Sequence, residues 1–328
     1  MYKETAKEVL DFIQKSPSCF HAIQEIGRQL RENGFEELRE TDRWSIKKGG
    51  SYFTTRNGSS LIAFRVGKTL DDYHFQVTSS HCDSPTFKVK EKAELKGKGG
   101  YLQLNTEGYG GMICSSWMDR PLSLAGRVLM REGNTVTSRL VAFDRDLLII
   151  PNVAIHMNRS INDGFAFNKQ VDMLPLFSAG ECGEDSYREL IAQELGVDPQ
   201  SILGMDMYLY NRTAPSIWGA KKEFISSPKL DDLQCACTSL KAMIQAENDR
   251  CVTVYACFDN EEVGSGTKQG ACSTFLRDVL QRINDGLGFD GEDYRRAVAG
   301  SFMVSCDNAH AVHPNHPEKT DAENCTWM

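Results

Sequence analysis

The segment VTVYACFDNEEVGSG at residues 252–266 constrains the fold more than any other part of the sequence. Val252–Phe258 is a short run rich in β-branched and aromatic residues, which is typical of a strand buried on both faces of a parallel sheet. Asp259, Glu261 and Glu262 follow where this strand should end, and ligands bind at the carboxyl ends of strands in open α/β sheets. Adjacent carboxylates repel one another, so the cluster favours a bound cation. An acidic turn between a strand and a helix is the alternative interpretation.

Composition limits the classes of protein to consider. The chain has 328 residues, of which 41% are hydrophobic, and a length of this order predicts two domains at about 150 residues each. A net charge of −8 disfavours a nucleic-acid surface. The sequence has no apolar run of membrane-spanning length, and MYKETAKE is too charged to be the core of a signal peptide. The eleven cysteines include no CxxC pair and predict buried free thiols. We therefore expect a cytoplasmic protein with neither nucleic-acid nor membrane partners.

A second predicted strand, Tyr73–Ser79, runs directly into His81, Cys82 and Asp83. Alternate residues of extended chain share a face, so His81 and Asp83 can point the same way. An aspartate in that position can orient the imidazole of a metal-binding histidine. An HxD triplet is also common in ordinary polar surface sequence, so we keep both interpretations.

The middle of the chain has a different pattern. Residues 86–227 alternate in the manner of β-structure, include a hairpin-like segment around Gly133 and Asn134, and contain one helix that ends before Gly196. A strong helical pattern then begins at SPKLDDL, where Asp231 and Asp232 either cap the helix or supply one metal ligand. Ser301–Ser305 is predicted to be a further buried strand, and it leads to Asp307.

Four candidate ligands therefore lie at strand ends or at a helix start: His81, Asp231, Glu262 and Asp307. This mixture of imidazole and carboxylate suits a zinc-like or manganese-like site. Because the ligands flank the β-rich segment, we expect one α/β domain built from residues 1–85 and 228–328. Residues 86–227 would be a second, β-rich domain inserted into it.

The motifs SSHCDSP, SPKLDDL, FDNEEVGSG and DNAHAVHPN, in this order, resemble the aspartyl aminopeptidase family of cytoplasmic metallopeptidases. The resemblance extends over essentially the whole chain. It implies an α/β fold with a zinc-exopeptidase-like mixed sheet and flanking helices, in which the inserted β-rich domain is a dimerisation domain. It also implies a homo-oligomer in which dimers assemble into a dodecamer.

The same resemblance implies a role for each site residue. His81 and Asp307 would bind the first of two divalent metal ions, Asp231 would bridge both ions, and Glu262 would bind the second. Asp83 would orient His81, and Glu261 would be the general base. His156, in PNVAIHMNR, would reach the active site of a neighbouring subunit. Zinc is the favoured metal, with manganese or cobalt as alternatives.

The implied activity is removal of an N-terminal residue, acidic in type, from peptide substrates by attack of a metal-activated water. The family's chains continue beyond ENCTWM into a segment that carries the last metal ligand, a histidine. We therefore expect this chain to hold at most one metal tightly and to have low activity. The alternatives are a catalytically inactive truncated assembly subunit and a dinuclear-metal amidohydrolase acting on non-peptide amides.

Overall fold

The computed structural model describes residues 2–327 and shows a mixed α/β protein with two six-stranded sheets. The helices are α1 (Tyr2–Gln14), α2 (Cys19–Glu32), α3 (Ser186–Leu195), α4 (Leu230–Gln245), α5 (Phe275–Gly286) and α6 (Gly291–Ala299). The strands are β1 (Glu36–Leu38), β2 (Ser51–Arg56), β3 (Ser60–Val66), β4 (Phe75–His81), β5 (Thr86–Lys96), β6 (Leu102–Tyr109), β7 (Leu122–Glu132), β8 (Thr135–Ala142), β9 (Leu176–Ser178), β10 (Ile202–Asn211), β11 (Ser216–Trp218), β12 (Phe224–Ser226), β13 (Val252–Phe258) and β14 (Phe302–Ser305). None of the helices within residues 2–327 combines the length and the apolar character that crossing a membrane requires.

The first sheet has the strand order β1-β2-β3-β13-β4-β14, with β13 near its centre. Tyr255 and Cys257 pack into a cluster on one face of the sheet, while Val254, Ala256 and Phe258 pack into a cluster on the other. The strand is therefore buried on both faces, as its sequence predicts. Its neighbours differ from the parallel sheet expected for it, because β13 is parallel to β4 and antiparallel to β3.

Helices cover both faces of this sheet. Helices α1, α2 and α4 pack against one face through apolar residues at helical spacing, and α5 and α6 pack against the other. In α2, Ile26 and Leu30 are one helical turn apart and both are fully buried. The clusters on the two faces are therefore built from apolar side chains of both the helices and the strands.

The second sheet has the order β8-β7-β10-β5-β6-β9, and its ladders are antiparallel. It forms a separate apolar cluster with α3, whose buried residues include Tyr187 and Ile191. All six of its strands lie between residues 86 and 211, whereas every strand of the first sheet lies outside that range. This separation supports the division into 1–85, 86–227 and 228–328, which we retain as a proposal.

We call the first sheet with its covering helices the first half of the protein, and the second sheet with α3 the second half. Arg127 contacts both halves. It extends from β7, donates a hydrogen bond of 2.8 Å to the carboxylate of Asp206 on β10, and donates another of 2.7 Å to the carbonyl of Asn57. Its guanidinium also stacks 4.4 Å from the ring of Phe20 in α2. One side chain of the second sheet thus contacts a turn and a helix of the first half.

The prediction of a buried strand at Ser301–Ser305 is wrong about its burial. The strand exists as β14 and pairs in parallel with β4, but Phe302 is 70% exposed and Met303 and Val304 are each 45% exposed. The reason is its position at the edge of the sheet, where no described helix covers these side chains. An apolar sequence pattern does not distinguish this arrangement from a central strand.

Gly126 offers a test of how closely the strands of the second sheet pack. A Cβ atom on this residue would lie 2.0 Å from the carbonyl oxygen of Asp206 and 2.8 Å from the Cα of Met207, both of which are backbone atoms. Gly126→Ala should therefore destabilise the protein by at least about 2 kcal/mol, because β7 and β10 must move apart. Urea denaturation monitored by circular dichroism would measure the loss.

The matched control is Gly204→Ala on the neighbouring strand, where an added Cβ meets no atom within 4 Å. This variant should change the unfolding midpoint little. Equal midpoints for the two variants would contradict the close approach.

Candidate metal centre

Three strand ends of the first sheet meet at one edge. His81 at the end of β4 is in register with Phe258 at the end of β13, and the amide of Cys82 extends this ladder by donating 2.9 Å to the Phe258 carbonyl. On the other side of β4, the amide of Cys306 donates 2.7 Å to the carbonyl of Ser79. Because β4, β13 and β14 are parallel, the polar residues that follow each of them arrive at the same place.

His81, Asp231 and Asp307 form a cluster at this edge. Each offers one ligand atom, and the three atoms lie within 4.8 Å of one another. Nε2 of His81 is 3.3 Å from Oδ1 of Asp231 and 3.9 Å from Oδ1 of Asp307. The imidazole is buried, while both carboxylates are about half exposed, so the cluster opens toward solvent on one side. One imidazole and two carboxylates at this separation fit a zinc ion with room for a further ligand.

The beginning of α4 places Asp231 and Asp232 in different roles. Both have backbone angles outside the helical region, and the peptide bond between them is cis. Asp232 is fully buried and its Oδ2 accepts a hydrogen bond of 3.0 Å from the backbone amide of His81. The expected alternative, an N-cap for the helix, is therefore wrong for Asp232, whose carboxylate holds the histidine backbone instead.

Asp83 is a buried anion that is supplied with donors from several directions. Its Oδ1 accepts from the amide of Glu261 at 3.2 Å, and its Oδ2 accepts from the amide of Glu262 at 3.2 Å and from the hydroxyl of Tyr109 at 2.7 Å. Nδ1 of His81 lies 3.3 Å from Oδ1 and 3.0 Å from the Asp83 carbonyl oxygen. Asp83 therefore contacts both the histidine and the backbone of the acidic loop. These contacts suit a residue that orients an imidazole.

The electrostatics of the cluster favour a positive charge. Burial lowers the pKa of His81, but the hydrogen bond and negative charge of Asp83 outweigh burial, and with Asp232 and Asp231 they raise this pKa to about 10. Burial raises the pKa of Asp231, and the charge of Asp307 raises it further. In the absence of a cation the imidazole would carry a proton, which a metal ion would displace.

Glu261 and Glu262 are adjacent in sequence but have different surroundings. The carboxylate of Glu261 is 50% exposed, and its Oε2 lies 3.9 Å from Nε2 of His81. Glu262 lies against the loop residue Gly110, and burial, together with the charges of Asp231 and Asp83, raises its pKa to about 7. Glu262 is not part of the three-residue cluster among the described residues. Asp259, the third acid of this loop, is buried away from the cluster.

His156 lies outside the cluster within this chain. It is exposed in an irregular segment after the second sheet's hairpin, beside the exposed side chains of Val153, Ile155 and Met157. A role for His156 in the site of another subunit stays a prediction.

The structure adds residues that sequence analysis missed. Tyr109 ends β6 of the second sheet, yet its hydroxyl contacts Asp83 of the first half. Asn260 donates a hydrogen bond of 2.9 Å to the same hydroxyl. In the sequence, Tyr109 is marked only by the glycines that follow it at 110 and 111, and Asn260 only by its place inside the acidic loop. Neither signal identifies a partner so distant in sequence.

A cavity of about 650 Å³ opens beside the cluster. Asp231 lies on one part of its wall, and Trp117 and Arg120 lie on another. Arg120 forms no ion pair with any residue in the described range 2–327, which leaves its guanidinium available to a ligand. The cavity therefore combines a candidate metal ligand with an unpaired positive charge.

Comparison with known proteins points to one family. Residues 12–328 match the family described as aminopeptidase I zinc metalloprotease (M18). A probable M18 family aminopeptidase 2 of Clostridium acetobutylicum is 47% identical over 324 residues, which cover 97% of this chain and 75% of that protein. The protein of the same name from Pseudomonas aeruginosa is 39% identical over 329 residues, covering 98% of this chain and 75% of the relative.

Solved structures agree with these sequence matches. A chain from the cryo-EM structure of the Ape4 and Nbr1 complex superposes with a TM-score of 0.94 at 36% identity, covering 99% of this chain and 67% of that one. The S. cerevisiae mApe1 dodecamer gives a TM-score of 0.86 at 26% identity, covering 99% of this chain and 76% of the other.

The three-residue cluster predicts that zinc stabilises the folded state. Excess Zn²⁺ should raise the unfolding temperature, since a ligand at about 100 times its Kd adds about 2.7 kcal/mol to the free energy of unfolding. Asp307→Asn should reduce this gain, because it replaces one of three ligands with a neutral amide. Differential scanning fluorimetry with and without zinc would measure the change.

Asp163→Asn is the matched control, since Asp163 is an exposed acid in the loops of the second half. It should gain as much from zinc as the unmodified protein does. A full gain in Asp307→Asn would count against the cluster as a zinc site.

Proposed function

The chain belongs to the aminopeptidase I family of zinc metalloproteases, and from this premise we propose that it removes a single acidic residue from the N-terminus of peptides. The observation that carries the proposal is the convergence of His81, Asp231 and Asp307 at the carboxyl edge of the first sheet. Glu261 lies beside the same cluster with an unligated, half-exposed carboxylate. These are the parts that metal-assisted hydrolysis of a peptide bond needs.

We assign the metal ligands as follows. His81, Asp231 and Asp307 would hold one divalent ion, and Asp231 with Glu262 would contribute to a second. Burial and the charge of Asp231 raise the pKa of Glu262 to about 7, so a cation shared by the two carboxylates would stabilise both. Bound zinc would polarise the scissile carbonyl and lower the pKa of water, and the family description names zinc.

Glu261 acts as the general base in this proposal. Its carboxylate takes the proton of the attacking water and returns it to the leaving amine. The amide of Glu261 donates to Asp83, so the residue that orients His81 also anchors the backbone of the base. The base and the imidazole ligand therefore keep a fixed separation.

Arg120 supports the preference for an acidic N-terminal residue. Its guanidinium lines the cavity that also contains Asp231, and it has no carboxylate partner within residues 2–327. The other basic residue of that cavity, Lys229, already donates to the carbonyls of Ser16 and Pro17. A substrate carboxylate in the cavity would pair with Arg120, and such charge-assisted hydrogen bonds are stronger than neutral ones.

The assembly and location form part of the same proposal. We propose a homo-oligomer built on the second sheet, because a dodecamer is described for the S. cerevisiae mApe1 structure to which this chain is similar. His156 would then contact a neighbouring subunit's site. Buried thiols at Cys19, Cys82 and Cys257 favour the reducing environment of the cytoplasm.

Glu261→Gln tests the base. The amide preserves shape but cannot accept the proton, so kcat should fall by about 10²- to 10⁴-fold while zinc content stays unchanged. Peptidase kinetics and elemental analysis of the same preparation would report both quantities. Glu262→Gln should instead lower the zinc content, because it removes a proposed metal ligand. Loss of zinc in Glu261→Gln would reverse the assigned roles.

Arg120→Ala tests the substrate preference. Removing the guanidinium should lower kcat/KM for an N-terminal aspartyl substrate about 10- to 100-fold, which corresponds to a charged hydrogen bond of about 1.5–3 kcal/mol, and should affect a leucyl substrate little. Arg145→Ala is the control, since Arg145 is also exposed and has no ion-pair partner within residues 2–327, but lies outside the cavity. An unchanged aspartyl-to-leucyl ratio in Arg120→Ala would refute the role.

A further inference from the structure

Tyr109 connects the second sheet to the candidate metal centre through one hydroxyl group. The residue is the last of β6, and its hydroxyl lies 2.7 Å from Oδ2 of Asp83, which is on the other side of the boundary between the two halves. Its ring packs edge to face against Tyr208 on β10, with 5.7 Å between ring centroids. The strand end and the neighbouring ring thus hold the hydroxyl in one position.

The direction of the Tyr109–Asp83 hydrogen bond follows from Asn260. Nδ2 of Asn260 can only donate, and it lies 2.9 Å from the Tyr109 hydroxyl oxygen, so this oxygen accepts there. The single hydroxyl proton of Tyr109 is then directed to Asp83.

The orientation of the Asn260 amide is itself fixed. Its Oδ1 accepts from the hydroxyl of Thr267 and from Nε2 of Gln269, each at 2.8 Å. The Thr267 oxygen in turn accepts from the amide of Gly270 at 3.1 Å, which leaves its proton for Asn260. The loop that follows the acidic cluster therefore determines how Asn260 faces Tyr109.

Tyr109 gives the Asp83 carboxylate a shorter hydrogen bond than the backbone amides do. In the acidic loop, the backbone amides of Glu261 and Glu262 also donate to this carboxylate, and both of these hydrogen bonds are 3.2 Å long. Asp83 is only 3% exposed, so water cannot readily replace a lost donor. Removing one donor from a buried carboxylate leaves one of its oxygens unsatisfied and the group free to turn.

We propose that Tyr109 is a positioning residue for the metal centre: its hydroxyl fixes the Asp83 carboxylate, and Asp83 in turn fixes the ring and tautomer of His81 as a zinc ligand. This inference rests on the proposed function, because it takes His81 as a ligand. It extends that function because a residue of the second sheet, Tyr109, would then influence the affinity for the metal. Movement of β6 relative to β4 would be transmitted to the ligand through the Tyr109–Asp83 hydrogen bond and the 3.3 Å contact between Oδ1 of Asp83 and Nδ1 of His81.

Tyr109→Phe in the full chain is the test, because it removes only the hydroxyl. The dissociation constant for Zn²⁺, measured by competition with a chromophoric chelator, should rise about 10- to 100-fold, the usual effect of losing a group that orients a ligand. The visible absorption spectrum of the Co²⁺-loaded protein should also change, since it reports ligand geometry. In peptidase assays at saturating zinc, kcat should fall while KM stays close to its original value.

Tyr208→Phe is the matched control. Tyr208 belongs to the same pair of rings, but its hydroxyl has no hydrogen-bond partner among the described residues. This variant should keep both the zinc affinity and the Co²⁺ spectrum. Equal losses in the two variants would show that Tyr109 matters only for packing and would overturn the inference.

His81→Ala separates this inference from the proposed function. Strong loss of zinc binding in His81→Ala together with normal binding in Tyr109→Phe overturns only the role of Tyr109. Normal zinc binding in His81→Ala overturns the proposed metal centre and the inference with it. Graded losses, severe for His81→Ala and intermediate for Tyr109→Phe, support both.

Discussion

The burial of β13 on both faces is the constraint on which the rest of the structure depends. Side chains between Val252 and Phe258 enter apolar clusters on alternate faces of the sheet, and a charged residue within that run would be desolvated without a partner. The first place where charge can appear is the end of the strand. His81 follows the same rule at the end of β4, whereas Asp307 reaches this edge because the exposed strand β14 pairs in parallel with β4.

A buried carboxylate creates a second requirement, and Asp83 meets it with donors from both halves of the protein. Two backbone amides come from the acidic loop and one hydroxyl comes from Tyr109 on the second sheet. Losing any of these donors would leave a buried carboxylate oxygen unsatisfied, so Asp83 couples the acidic loop to the end of β6 in the other sheet. Protein hydrogen bonds therefore fix the position of the Asp83 carboxylate without a bound cation.

The mixed α/β fold predicted from the sequence is confirmed, and the reasons for success and failure are physical. Short-range periodicity predicted α4, β13 and the β7–β8 hairpin, because each pattern reflects which side chains are buried. It did not predict β10, whose ladder contains an irregularity between Ile202 and Gly204. It also gave the wrong burial for β14, since an apolar run at a sheet edge resembles one at the centre.

For the site, the motifs supplied the residue types and the structure supplied their neighbours. The sequence offered His81, Asp231 and Asp307 as candidates, and the fold brings their ligand atoms together. Tyr109 was missed and Asp232 was given the wrong role, because their partners, Asp83 and the His81 amide, are distant in sequence. Contacts of that kind depend on how two sheets meet, and no local pattern encodes them.

The separation of the two sheets along the chain has a consequence for the order of folding. The second sheet is built from one continuous stretch, and its neighbouring strands β7 and β8 are joined by a tight turn. The first sheet needs β4 to pair with β13, and the whole inserted segment lies between them. Closing such a long loop is slow when it is flexible, and it would be faster if the second sheet had already formed within it. During synthesis residues 86–227 are made before β13 and β14, so the pairings of β4 with these two strands come late in folding. The three-residue cluster cannot form until Asp307, which follows β14, has been made.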